Sequence, residues 1–117
     1  MAWKDPEKQR AAIRKHYYEN REYYLQKAVR QKKELRDWVY ALKSQTPCTD
    51  CKVLYPHYVT DFDHILGKGL KVSTISRLIN RRSAKQVKAE ILKCELVCAN
   101  CHRIRTYTRE KMKKDVQ

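Results

Sequence analysis

Two Cys-x-x-Cys pairs, Cys48 and Cys51 in "PCTDC" and Cys98 and Cys101 in "LVCANC", constrain this chain more than any other feature. Each pair puts two thiols on one tight turn, and the segment between the pairs must fold so that the two turns meet. Four thiolates together satisfy the tetrahedral preference of Zn2+ and leave no open coordination position, so the expected ion is structural rather than catalytic. A chain of 117 residues is about one domain. With its compact part confined to roughly the C-terminal seventy residues, the core is small enough to need such a staple. The start "MAWKDPEKQR" has no apolar segment of the signal-peptide kind, and no apolar run is long enough to span a bilayer. The expectation is a cytoplasmic protein without a membrane role, in a reducing compartment where paired cysteines hold metal. Cys94 stands outside both pairs and is expected to act as a small buried apolar residue.

Charge narrows the partners. Lys and Arg number 27 against 13 Asp and Glu, a formal net charge of +14, and the excess runs along the whole chain: 12 against 6 up to residue 47, and 15 against 7 beyond it. A polyanion is the natural counterpart, and nucleic acid, DNA first, fits a chain with no bilayer-length apolar run. The plainer alternative is a basic solvated surface with no specific ligand.

Along the chain, Asp5-Pro6-Glu7 has the form of a helix start, with a capping Asp, Pro in the first turn and an acid near the positive end of the dipole. No Gly or further Pro follows until about Ser44. Ile13, Tyr17, Tyr24, Ala28, Leu35, Val39 and Leu42 form one helical stripe, which Asn20 is placed to break. This basic helical arm, residues 1–46, offers a face for packing, for a second copy of the chain or for a protein partner. Its tyrosines, interleaved with Lys and Arg, suit nucleic acid as well. From Pro47 the pattern changes. "HYVTDFDH" reads as a short strand and "ILGKGLKVS" as a loop holding both glycines. Ser83 with Gln86 makes a capping box for a helix of about 84 to 93. "CELVC" reads as a second short strand and "ANCHRIRTYTREKMKK" as a terminal helix. The fold class is α+β.

A closed tetrathiolate site has no use for the stretch "DFDH" at 61–64, nor for His102 beside the last cysteine. Side chains alternate along a strand, so Asp63 and His64 face opposite ways unless the strand ends between them. A carboxylate and a histidine from the far end of the motif can hold a second divalent ion with open positions, while a neighbouring imidazole accepts a proton from water. The bland alternative is that the Asp-His pair carries no chemistry and that His102 is a solvent-exposed residue or a substitute zinc ligand.

Taken with the two knuckles, "PCTDC", "DFDHILGKG" and "KCELVCANCHRIRT" resemble the HNH endonuclease family, the zinc-knuckle branch of the ββα-metal nucleases, over about residues 47 to 107. The resemblance implies a ββα-metal core over 47–117. Cys48, Cys51, Cys98 and Cys101 would be its zinc ligands, and Asp63 the acid that binds a catalytic Mg2+ or Mn2+. His64 would be the general base, and His102 a second ligand of the catalytic ion. Many such proteins come from bacteria and phages. One departure is plain: the family's middle Asn commonly lies about five residues before the third cysteine, where this chain has Lys93. Asn80 and Asn100 are candidate replacements, neither at the expected place.

On the terminal helix His102, Arg105 or Thr106, Arg109 and Lys113 recur at helical spacing, so basic side chains share a face with the expected ligand, while Ile104, Tyr107 and Met112 are left to pack elsewhere. With Arg103 and the loop residues Lys68 and Lys71, these are the expected phosphate contacts. The expected function is metal-dependent hydrolysis of DNA phosphodiester bonds. The alternative is a zinc-knuckle module that binds nucleic acid for a partner enzyme and has no activity of its own. A zinc ribbon serving only protein contacts leaves the charge unexplained.

Overall fold

A computed structural model describes residues 5–116, so the first four residues of the expected arm and the final Gln lie outside it. Helix α1 (Pro6–Glu19) begins as its sequence requires: the Asp5 carboxylate accepts from the Glu7 amide at 2.9 Å, with Pro6 in the first turn. Asn20 closes α1 and opens α2 (Arg21–Gln45), with its side-chain amide donating to the His16 carbonyl at 2.8 Å. The break expected there is present. After a 3-10 turn at His57–Val59 come strand β1 (Thr60–His64), helices α3 (Ile75–Asn80) and α4 (Ala84–Ile91), strand β2 (Cys94–Cys98) and helix α5 (Ala99–Val116). The architecture is α+β, with five α-helices and one two-stranded sheet among the described residues.

The strands pair antiparallel, Thr60 opposite Cys98 and His64 opposite Cys94, so the "DFDH" stretch runs beside "CELVC". α5 follows β2 directly and lies against both strands. The Ser83 cap of α4 is as expected, its hydroxyl accepting from the Gln86 amide. The helix stops at Ile91, two residues earlier than its pattern suggested, because the chain must turn at Leu92 and Lys93 to enter β2. Helix α3 falls between the expected loop at 65–73 and the Ser83 cap, where the sequence pattern assigned no element. It is only six residues long, and what holds it is tertiary: Leu78 is fully buried.

The radius of gyration, 20.3 Å, far exceeds the roughly 13 Å of a compact chain of this length, because α1 and the first half of α2 project. The second half of α2 does not. Leu35 and Val39 are buried with Leu78 of α3 and Val87 of α4, and Phe62, Ile75, Ile79 and Ile91 pack around them. The division at residue 46 therefore cuts through a hydrophobic core. A second, smaller cluster joins Cys48, Val97 and Cys98 with Tyr55 and Val59 around it. Of the remaining stripe, Ile13 (59%) and Tyr17 (41%) are exposed, while Tyr24, Ala28 and Leu42 are half-buried. The side chains expected to pack behind α5, Ile104, Tyr107 and Met112, are exposed too.

Candidate functional site

The first knuckle is a turn. The Cys48 amide donates to the Val53 carbonyl and the Lys52 amide to the Cys48 carbonyl, both at 2.9 Å, while Lys52 takes a left-handed φ of 64° to close it. Thr49 stitches this turn to β2: its amide and its hydroxyl both donate to the Leu96 carbonyl at 2.8 Å. The second knuckle is the junction of β2 and α5, which puts Cys101 in the first helical turn at the positive end of the dipole. As a result the sulfurs of Cys48, Cys51, Cys98 and Cys101 all lie within 4.8 Å of one another. They could hold a metal ion, and among the described residues no other group of three or more His, Cys, Asp or Glu side chains could. Burial opposes ionisation of Cys48, but the amides of Cys51, Cys98 and Asp50 bring its thiol down to about 6. Cys101, hydrogen-bonded to the Cys98 sulfur, is pushed up to about 12. Cys94 is not in the group. It is half-buried, and its thiol donates to the Glu90 carbonyl.

Because Cys101 anchors the first turn of α5, His102 is fixed against β1. Its imidazole is bracketed by two carboxylates from one face of that strand: Nδ1 lies 3.2 Å from Asp61 Oδ2 and Nε2 lies 3.8 Å from Asp63 Oδ1. Asp61 was an unassigned neighbour in the sequence, although the two-residue period of a strand puts it on the same face as Asp63. Asp63 and His102 are thus brought together as expected. At 3.8 Å the two atoms are wider apart than the roughly 3 Å between adjacent ligands of a small octahedral cation, so His102 would have to move slightly for them to share one.

Asp63 is also the most heavily bonded acid on that face. Arg109 donates to both of its oxygens, at 3.0 and 2.7 Å, and Arg105 donates to Oδ2 at 2.9 Å. These contacts, Arg109 foremost, hold its carboxyl down to about 2. Arg105 does not behave as the free phosphate contact expected of it. It also makes a bidentate bridge to Asp50 in the first knuckle, at 2.6 and 2.7 Å, and reaches Glu95 on β2 at 3.3 Å. Three segments converge on one guanidinium that is 17% exposed, and its proton is held more tightly than usual, first by Asp50. Arg105 therefore clamps α5 to the sheet, whereas the Arg109 side chain is 46% exposed. Arg103 lies by His102 on the outer side of α5, lining a shallow hollow with Asp61, and Lys113 is exposed farther along the helix.

On the opposite face of β1, His64 points away from Asp63, as strand alternation requires, and its Nε2 lies 3.3 Å from the fully buried carboxylate of Glu90. Its side chain nevertheless shares a cleft of about 380 Å³ with Asp61 and His102. Lys43 and Lys71 lie on the wall of that cleft, and Lys68 is exposed in the preceding loop. Lys43 came from the arm and was not foreseen. Its ammonium donates to the Thr60 carbonyl at 2.9 Å, and burial lowers its pKa against the opposing pull of Asp61. A neighbouring groove of about 220 Å³ shares Lys43, Phe62 and Ile75 with the cleft and adds Lys32 and Arg36, so a basic path leads from α2 to His64.

Lys93 stands where an Asn was expected and is not idle. Its ammonium bonds Glu90 Oε1 at 2.8 Å and the Leu70 carbonyl at 2.9 Å, and its own carbonyl accepts from the Ile65 amide at 3.0 Å. Gly69 takes a φ of 110° where the loop passes Lys93; an added Cβ would make only ordinary contact with the Lys93 methylenes at 3.6 Å, so the backbone angle is what calls for glycine. No family model, curated protein or solved structure matches the chain.

Proposed function

We propose that the chain is a metal-dependent DNA endonuclease of the HNH kind, in which the four cysteines hold a structural zinc ion. The observation that carries this reading is the shared cleft: His64 and His102, from different elements, meet there beside Lys43 and Lys71. Zinc fits the cysteine group. A tetrahedral tetrathiolate with bonds of about 2.3 Å has sulfurs roughly 3.8 Å apart, and the four sulfurs here lie within 4.8 Å of one another.

In this reading Asp63 and His102 would hold a divalent cation, which would supply stabilisation of the charge on the scissile phosphate and the leaving oxygen. An imidazole in the donor set favours Mn2+ over Mg2+. For Asp63 to serve, Arg109 must release it. Arg109 is the exposed partner and can turn to a phosphate, while Arg105 remains as the clamp. His64 takes a proton from the attacking water. Lys71, Lys68 and Arg103 neutralise the backbone near the cleft, Lys113 acts farther out, and the basic path over Arg36 and Lys32 extends the contact onto α2.

The test is incubation of the purified protein with supercoiled plasmid, with and without Mg2+ or Mn2+. Nicked or linear product that depends on the ion is expected. A second reading has one observation in its favour: both oxygens of Asp63 are occupied by arginines. Zinc-loaded protein that binds the plasmid yet leaves it intact with either ion would establish a nucleic-acid-binding knuckle module instead.

A further inference from the structure

Glu90 belongs to none of the motifs, yet it is the most deeply buried acid on the described chain, with 1% of its surface exposed. It sits one turn after Val87 on the inner face of an eight-residue helix, where an apolar side chain would pack without any charge to compensate. The protein instead surrounds the carboxylate with donors. Lys93 Nζ reaches Oε1 at 2.8 Å, the Val72 amide reaches Oε2 at 3.0 Å, and His64 Nε2 lies 3.3 Å from the same Oε2. A compensated charge in such a place, touching a cleft residue from behind, calls for a use beyond packing.

From this geometry we infer that Glu90 is a positioning residue, which fixes the tautomer and orientation of His64. The inference rests on the reading of His64 as the general base. An ionised carboxylate can only accept hydrogen bonds. The neutral imidazole facing it must therefore carry its proton on Nε2, and its lone pair is left on Nδ1. That nitrogen has no hydrogen-bond partner among the described residues, while the His64 side chain lines the cleft. A base needs a lone pair, not a proton, at the nitrogen that meets water. Glu90 is held in turn by Lys93, which also ties down the loop through Leu70, so the orientation is backed by two further segments.

Glu90→Gln tests this with almost no change in volume. The Gln oxygen is expected to face the Lys93 ammonium, the charged donor, which sets the amide NH2 against both the Val72 amide and His64; the opposite setting would keep an oxygen on Val72 and His64 and leave the ring unchanged. In the expected setting the NH2 can only donate to His64 Nε2, and the ring is driven to the Nδ1–H tautomer. The chain has four histidines, so nitrogen-15 ring correlations under alkaline conditions can be assigned by comparison with His64→Gln. The wild-type ring is expected protonated on Nε2 and the E90Q ring on Nδ1. The turnover number is expected to fall about 10²- to 10⁴-fold, with KM for plasmid and zinc content unchanged. A wild-type ring protonated on Nδ1 overturns the inference even if E90Q does not fold. Unchanged Nε2 protonation and unchanged turnover in a folded Glu90→Ala protein, which leaves His64 no carboxylate to donate to, overturn it as well. If the tautomer switches but the wild type does not cleave, Glu90 does position His64 and the endonuclease reading is what fails.

Discussion

Leu78→Ala is the substitution that asks most directly whether the second half of α2 is an arm or part of the core. Leu78 is fully buried at the meeting point of α2, α3 and α4, with Leu35, Val39 and Val87 as its buried neighbours. Truncation removes three carbon groups at about 0.8 kcal/mol each and leaves a cavity that a short helix only partly closes, so about 3 kcal/mol is expected, within the 2–5 kcal/mol seen for buried leucines. For a domain of roughly 100 residues that corresponds to a midpoint lower by about 12–24 °C. Thermal and urea unfolding followed by far-UV circular dichroism measure it, with Leu70→Ala, at a residue 89% exposed, as the control. The sharper assay is a double-mutant cycle with Leu35→Ala. If α2 docks as described, the two losses share a cavity and couple by more than about 0.5 kcal/mol. Additive losses, or a Leu78→Ala effect no larger than that of the control, would refute the docking and restore α2 as a free arm.

Cys98→Ala should release the structural ion and unfold the C-terminal region, whereas wild-type protein should retain about one zinc per chain after dialysis, which elemental analysis settles. His64→Ala should slow cleavage about 10²- to 10⁴-fold at any ion concentration. Asp63→Ala and His102→Ala should be partly rescued by more Mn2+ with zinc content unchanged, and loss of zinc in His102→Ala would make it a structural ligand instead. The Glu90 carboxyl lies at about 2, below its ordinary 4.5: burial pushes it up, but Lys93, the Val72 amide and His64 outweigh burial. Its contribution is therefore present above pH 4.5 and fades as pH falls towards 2. At roughly 2 kcal/mol after allowance for screening, the urea-midpoint gap between wild type and Glu90→Gln should narrow as pH falls from about 5 towards 2, and a gap that stays constant would contradict it. Removing residues 5–20 spares the core and deletes Lys8, Arg10, Arg14 and Lys15. If these meet phosphates, the salt dependence of DNA binding should flatten by roughly 0.9 for each phosphate no longer neutralised, and an unchanged slope would assign α1 to another partner.

What the sequence determined by itself was whatever depends on a few neighbouring residues. The Asp5 and Ser83 caps, the break at Asn20 and the knuckle turns are set by contacts within about four or five positions, where composition and spacing are enough, while the strand at Cys94–Cys98 was readable from its residues although its partner β1 lies far away in the chain. Strand alternation likewise gave the opposed faces of Asp63 and His64. Tertiary structure decided the rest. Helix α3 exists because Leu78 has a core to enter. Arg105, expected to meet phosphate, is drawn instead to Asp50 and Asp63, carboxylates from two other segments. Glu90 and His64 come together across 26 positions, and Lys43 reaches Thr60 across 17. Such pairings leave no local pattern, because a charged side chain on a helix reads the same whether it faces water or a buried partner, and only the packing of α2, α4 and α5 around one small sheet determines which it meets.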